Sequence, residues 1–227
     1  MTTPRTHCIR CGECCLRSSP SIQTADLSLV YEGPIERSKL YTLRVGELVR
    51  DNLRGELTVS NQELIKIRER EEGGGCIFYD DEQKACTIYE NRPIQCRALA
   101  CWDEREFMRV YARPKADRRD LYRDRVLLEI MAEHEKRCNY RELEQKVRRI
   151  PAEGEPAVEE VIELLRFDHN LRLLIPRKVN MDPAEMDLLL GRPLTETITM
   201  FGLQVIPQPE GGFFLTTLEA PEPKKET

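Results

Sequence analysis

Hydrophobic residues recur at helical spacing through the middle of the chain. Between residues 117 and 136 the apolar positions form one stripe among charged residues, which predicts an amphipathic helix. The helical pattern resumes over residues 140–150 and is expected to stop at Pro151, because proline lacks the amide hydrogen that a helix interior needs. A second long helix is predicted over residues 155–174 and is expected to end at Pro176.

Shorter apolar runs flank this helical region. Residues 76–79 and 85–89 enclose the acidic turn 80–84 and predict a β-hairpin, and residues 201–206 and 213–217 predict another. The remaining predicted elements are a short helix over 24–31, a strand or short helix over 40–48, a strand or extended segment over 61–71, a short helix over 94–99 with Pro93 in its first turn, and a short helix over 182–190. The expected fold class is α+β, with a cysteine-rich N-terminal half carrying a small hairpin, a helical middle and a short C-terminal β-hairpin.

This order of elements predicts four successive regions. They are a cysteine-cluster metal-binding region over residues 1–103, a helical region packed on it over 104–178, a short helix with a β-hairpin over 179–218, and a tail over 219–227. The tail is charged and contains proline, so it is expected to be disordered.

Charge and hydropathy exclude some classes of partner. The 35 basic and 40 acidic residues give a net charge of −5, whereas a nucleic-acid-binding protein normally has a basic excess. The apolar runs are too short to cross a bilayer, and the polar N-terminus does not resemble a secretory leader. The expectation is a cytoplasmic protein that binds neither nucleic acid nor membrane.

The nine cysteines say more about function than any other residue type does. Eight fall into two blocks, Cys8, Cys11, Cys14 and Cys15 in the first and Cys76, Cys86, Cys96 and Cys101 in the second. In a reducing compartment disulfides are not expected, and clustered thiolates there usually bind metal. A C-x2-C spacing lets one loop place two sulfurs on one ion, and a third cysteine after another two-residue gap is typical of iron–sulfur loops. The pattern predicts a metal site without choosing the metal.

Backbone geometry predicts that both blocks contribute to this site. In extended backbone the neighbours Cys14 and Cys15 point to opposite sides, so the first block is not expected to complete a tetrahedral site alone. The predicted hairpin brings Cys76 close to Cys86, and Cys96 lies near a helix N-terminus, where its thiol pKa is expected to be lowered. Eight thiolates allow two four-coordinate sites or one cluster with further thiols around it, and the sequence leaves both open.

Other candidate groups are interpreted as structural. Cys138 lies far from both blocks and is expected to be a lone thiol, and Trp102 is expected to anchor the core. His7 adjoins the first block and is interpreted as solvent-exposed, with metal ligation as the alternative. His134 stands in a charged run and is expected at the surface, and His169 is interpreted as structural rather than as a ligand or general base.

Several cysteine motifs follow one another over residues 8–102. They are Cys8-x2-Cys11-Gly-x-Cys14-Cys15, Cys76-x-Phe78 and Cys86-Thr-Ile-Tyr89-x2-Arg92-Pro93-x2-Cys96-Arg97. In this order they closely resemble the YkgJ-type cysteine-cluster family, whose members are described as zinc- or iron-chelating proteins. The resemblance implies a metal site made of Cys8, Cys11, Cys14, Cys15, Cys76, Cys86 and Cys96. The chain departs from the family after Arg97, so Cys101 is an additional candidate ligand.

Three functions remain open at this stage. The favoured one is an iron–sulfur protein, with a 4Fe–4S cluster as the expected cofactor and a redox or cluster-carrier role. The second is a zinc-stabilised module that fixes loops for a protein partner. The third is an iron–sulfur-dependent enzyme such as a protein methylase, because a similar cysteine motif occurs in flagellin lysine methylases. The sequence identifies neither catalytic residues nor a particular protein or redox partner.

Overall fold

The computed structural model describes residues 8–9, 11–51, 55–71, 74–208 and 212–218. Its α-helices are α1 (Glu13–Arg17), α2 (Leu27–Tyr31), α3 (Ile94–Ala98), α4 (Arg105–Tyr111), α5 (Arg118–Leu121), α6 (Arg125–Arg137), α7 (Tyr140–Glu153), α8 (Glu155–Val179), α9 (Met186–Leu189) and α10 (Leu194–Thr197). Its strands are β1 (Leu40–Leu43), β2 (Leu48–Asp51), β3 (Glu56–Val59), β4 (Leu64–Ile67), β5 (Tyr79–Asp80), β6 (Ala85–Cys86), β7 (Leu203–Pro207) and β8 (Phe213–Thr217). The predicted α+β class is confirmed, and the tail over 219–227 lies outside the described residues.

The described strands form antiparallel pairs. β1 pairs with β4, β2 with β3, β5 with β6, and β7 with β8. The β2–β3 pair lies between β1 and β4 in the sequence. β1 and β4 pair with Leu40 opposite Ile67. Both predicted hairpins are confirmed, the first as β5–β6 and the second as β7–β8. In the β5–β6 turn, the Asp80 carboxylate accepts hydrogen bonds from the Glu82 and Gln83 amides, which stabilises the turn without a glycine.

Two clusters of buried apolar side chains hold these elements together. The first contains Leu40 of β1, Ile65 of β4 and Leu188 of α9, and it includes Cys76. The second joins α7, α8, α10 and β8, and it contains Cys138. Helix α8 serves both clusters, because its first half faces the second and its last turns face the first. The four predicted region boundaries stay a prediction.

The helix ends differ from those predicted at the prolines. Helix α7 continues past Pro151 to Glu153 and stops at Gly154, whose φ of 65° leaves the helical region. Helix α8 includes Pro176 and ends at Asn180, which has a φ of 52° and donates its amide to the Pro176 carbonyl. A proline near a helix C-terminus removes few hydrogen bonds, so residues that adopt positive φ set both boundaries.

The predicted helix over 117–136 is divided into α5 and α6. Asp124 causes the break, because its side chain accepts hydrogen bonds from the Val126 and Leu127 amides and so caps a new helix. Asp117 caps α5 in the same way. Among the helices of the described ranges, none is long and apolar enough to cross a membrane.

His134 is fully buried, so its predicted surface position was wrong. Its Nε2 lies 2.7 Å from the Asp168 carboxylate, which also accepts from Arg172 and from the Leu194 amide at 3.0 Å. Burial lowers the pKa of His134, so the ring is neutral and donates to Asp168. The charged neighbours of His134 along the sequence lie on other faces of α6, and this network ties α6, α8 and α10 together.

Candidate metal centre

The first cysteine block forms a tight turn into the short helix α1. Gly12 precedes the helix with a φ of 79°, and the Leu16 amide donates to the Gly12 carbonyl at 2.9 Å. Cys14 and Cys15 lie within the helix, and their sulfurs are 4.0 Å apart. The expected opposite orientation was wrong because it assumed extended backbone, whereas neighbours in a helix differ by about 100°. Both thiols can therefore face one site.

The second block is joined to the first by its backbone. The Cys76 amide donates to the Cys15 carbonyl at 2.7 Å. Gly75 makes this approach feasible, because a Cβ at that position would lie 2.9 Å from the same carbonyl oxygen. On its other side Cys76 forms a β-bridge with Glu69, just beyond β4. The chain that leaves β4 thus places Cys76 next to Cys15.

The small hairpin places Cys86 and Tyr79 over the first block. Cys86 pairs directly with Tyr79 across β5 and β6, and the Tyr79 amide donates to the Cys76 carbonyl at 3.0 Å. The Tyr79 ring lies on Gly12, where any side chain would lie far inside van der Waals contact with the phenol. Burial raises the pKa of Tyr79, and Asp81, Cys15 and Cys11 raise it further, so the phenol stays protonated.

Helix α3 carries Cys96 and is held by residues that follow the first block. The buried carboxylate of Asp26 accepts from the Ile94 amide at 2.8 Å, at the start of α3. The side-chain carbonyl of Gln95 accepts from the Ser21 amide at 3.0 Å. Asp26 lies within the predicted helix over 24–31, and no local pattern there indicates this contact, which joins positions 68 apart in the chain.

Five thiols from α1, the hairpin and α3 lie within electrostatic range of one another, and we call them the five-thiol cluster: Cys14, Cys15, Cys76, Cys86 and Cys96. Burial raises the pKa of Cys76 to about 11, and the nearby Cys86 opposes its ionisation further. Burial raises the pKa of Cys96 as well, with contributions from Cys76, Cys86 and Cys14. These mutual effects require the thiols of both blocks to lie close together.

The expected lowering of the Cys96 pKa was wrong. Helix α3 has five residues, and its effect is outweighed by exclusion of water and by the neighbouring thiols. A hydrogen bond between Cys14 and Cys15 lowers the pKa of Cys14 and raises that of Cys15. Burial raises the pKa of Cys86, and Arg92 opposes that shift. Arg92 stacks on Tyr89 and donates to its carbonyl at 2.7 Å, which fixes this cation beside the cluster.

The donor set fits a thiophilic cation. Within the described ranges, no three cysteine, histidine or carboxylate groups already stand at the spacing that one ion requires. The Cys14–Cys15 separation of 4.0 Å is near the value of about 3.8 Å that two sulfurs have when both bind a tetrahedral ion at 2.3 Å. In the absence of metal, neighbouring thiols raise one another's pKa. A bound cation would reverse this effect, because it holds coordinating thiols as thiolates. Rotations of the remaining side chains are needed to close the site.

The other predicted residues occupy varied positions. Cys8, Cys11 and Cys101 are exposed, and their place as ligands stays a prediction. Cys138 is buried in the second apolar cluster, and the nine cysteines form no disulfide. Trp102 is 40% exposed, so its expected core position was wrong. His169 is exposed and packs edge-on against Phe213, and its structural role stays a prediction; His7 lies outside the described residues.

Comparison with known proteins gives one family and one relative. Residues 7–113 match the sequence model of the CxxCxxCC family, described as a "putative zinc- or iron-chelating domain". The uncharacterized protein MJ0661 of Methanocaldococcus jannaschii is 31% identical over 99 residues, which are 40% of this chain and 42% of that protein. The chain thus spans less than half the length of that relative, and no solved structure matches the chain significantly. The matched segment contains both cysteine blocks, and residues 7–113 of this chain are similar to the CxxCxxCC family, the one that the order of the cysteine motifs indicates.

Proposed function

We propose that the chain carries an iron–sulfur cluster on thiolates from both cysteine blocks and serves in electron transfer or cluster delivery. The observation that carries the proposal is the five-thiol cluster, which offers more sulfur donors in one place than a four-coordinate zinc ion takes. All five donors are thiols, the ligand type that iron–sulfur clusters prefer. Two sequence blocks that meet only in the folded chain supply them.

In this proposal, the residues around the thiols either position the ligands or compensate their charge. Asp26 and Gln95 hold α3 so that Cys96 faces the other cysteines. Arg92 offsets part of the negative charge that several thiolates bring to one place. Cys14 is exposed while Cys76 is buried, so one edge of the centre reaches solvent and the other faces the core. When bound, an iron–sulfur cluster supplies one-electron chemistry at a potential that charge, hydrogen bonds and exposure determine.

A structural zinc ion is the second candidate, and the Cys14–Cys15 separation of 4.0 Å favours it. Two sulfurs at this spacing can bind one tetrahedral ion, and Cys76 and Cys96 would complete a four-thiolate site. The metal would then join α1, the hairpin and α3 and stabilise the fold, as structural zinc sites do.

Absorption and metal content of protein purified without oxygen separate the two candidates. An iron–sulfur protein is expected to be brown, with broad absorption that bleaches on reduction and with iron and acid-labile sulfide in equal amounts. A zinc protein is colourless, because the ion has a filled d shell. Colourless protein that contains zinc and no sulfide would refute the cluster and support the second candidate.

A further inference from the structure

The Glu69 side chain fastens the chain that leaves the first cysteine block. Its Oε1 accepts from the Ser19 amide at 3.0 Å, from the Ser19 hydroxyl at 3.1 Å and from the Ser18 hydroxyl at 3.2 Å. The same oxygen accepts from Nζ of Lys66 at 3.0 Å, so one carboxylate oxygen joins four donors. Hydrogen bonds to an ionised acceptor are roughly twice as strong as those between neutral groups.

This contact lies between the two cysteine blocks. Ser18 directly follows α1, the helix that carries Cys14 and Cys15. At the other end, Glu69 forms a β-bridge with Cys76. The Glu69 carboxylate therefore holds the chain after the first block against the residue that pairs with the first cysteine of the second block.

Glu69 differs from an ordinary surface ion pair. A single exposed pair such as that of Glu69 with Lys66 would contribute little by itself. Three of the four hydrogen bonds instead come from Ser18 and Ser19, which lie 51 and 50 positions away in the chain. Their effect is to order two distant segments relative to each other.

We propose that Glu69 is a positioning residue that keeps the first block closed over the bound metal and so sets how fast the metal is released. This inference rests on the proposed function and deepens it, because delivery of a cluster or an ion requires that the site opens. Cys14 is exposed and Cys76 is buried, so the metal leaves from the side of the first block. Without Glu69, the segment after α1 moves away from the second block more often.

The variant Glu69→Ala removes the acceptor from a side chain that is 36% exposed. Protein purified without oxygen is mixed with an excess of a chromogenic chelator, and release of the bound iron or zinc is followed by absorbance. We expect the same metal content per chain as wild type and a release rate at least ~10-fold higher, the effect of losing about one hydrogen bond to a charged group.

The matched control is Glu160→Ala. The Glu160 side chain is 35% exposed, and its carboxylate accepts from Lys146 at 2.7 Å and from Arg149 at 2.9 Å. These bonds join α7 to α8, away from the five-thiol cluster. Loss of a carboxylate with several partners should leave the release rate at the wild-type value there.

Replacement of both serines by alanine identifies the partners of Glu69. The Ser18→Ala, Ser19→Ala variant removes two hydroxyl donors and leaves the carboxylate with Lys66. We expect faster release than in wild type, by a smaller factor than in Glu69→Ala. Combined with Glu69→Ala, the serine substitutions should add nothing, because side chains that act through the same bonds are not additive.

The outcomes separate this inference from the function beneath it. Wild-type protein that binds neither iron nor zinc would overturn both. Metal-loaded Glu69→Ala that releases its metal at the wild-type rate, or no faster than Glu160→Ala, would overturn the role of Glu69 alone, as would full additivity with the serine substitutions. If Glu69→Ala does not fold, the serine variant decides, since faster release supports the role and an unchanged rate refutes it.

Discussion

Replacement of Cys96 by serine is expected to weaken metal binding at least ~100-fold, and replacement of Cys15 should do the same. The two residues lie 81 positions apart, yet Cys14 and Cys76 raise the pKa of both thiols, because α1 and α3 face one site. Loss of either thiol removes a bond to the metal and opens that coordination position to water. The measurement is metal per chain after passage of each variant over a chelating column without oxygen.

The matched control for both variants is Cys138→Ser. Cys138 is fully buried and lies in the second apolar cluster, so its loss tests the general effect of replacing a buried thiol. We expect a lower midpoint of thermal unfolding with metal content unchanged. If Cys15→Ser loses metal while Cys96→Ser keeps it, the second block does not contribute a ligand through α3, and the two-block site is wrong.

Replacement of Gly12 by alanine is expected to have the second large effect. The φ of 79° costs a side chain about 1–2 kcal/mol, and the new Cβ would also overlap the Tyr79 ring, adding about 1–3 kcal/mol. The overlap is relieved when either the turn moves away from the hairpin or the Tyr79 ring leaves its place over the first block, and both loosen the contact between the two blocks. We expect a decrease in both the free energy of unfolding and the metal content, measured by denaturant titration and elemental analysis.

Gly202 provides a control that isolates the backbone cost. Its φ is 75°, and nothing lies within 4 Å of the position that a Cβ would take. Gly202→Ala should therefore lose only the conformational part of the stability and keep its metal. Equal metal content in Gly12→Ala and Gly202→Ala would contradict the close packing of Tyr79 on the first block.

The features that could be predicted from sequence are those that depend on local spacing. The two hairpins follow from short apolar runs on either side of a polar turn. The contribution of both cysteine blocks stays a prediction, made because the first block was not expected to complete a site alone. The orientation of Cys14 and Cys15 could not be predicted, because it depends on a single turn of helix after Gly12. That turn forms where the hairpin packs on it.

Long-range contacts explain the remaining differences. Asp26 caps a helix that begins 68 residues later, and no local pattern indicates such a partner. His134 has charged neighbours in sequence, but its own position faces Asp168 on α8. Both cases involve buried polar groups whose partners come from distant elements, and the sequence carries no sign of the pairing.

Alkylation of the thiols, mapped residue by residue, tests the central claim most directly. Protein purified without oxygen is treated with iodoacetamide before and after metal removal by a chelator, and each cysteine is quantified by mass spectrometry. The account predicts that Cys14, Cys15, Cys76, Cys86 and Cys96 are protected together in the native protein and become reactive together once the metal is gone. Protection of one block while the other reacts at the same rate in both samples would contradict a shared metal centre.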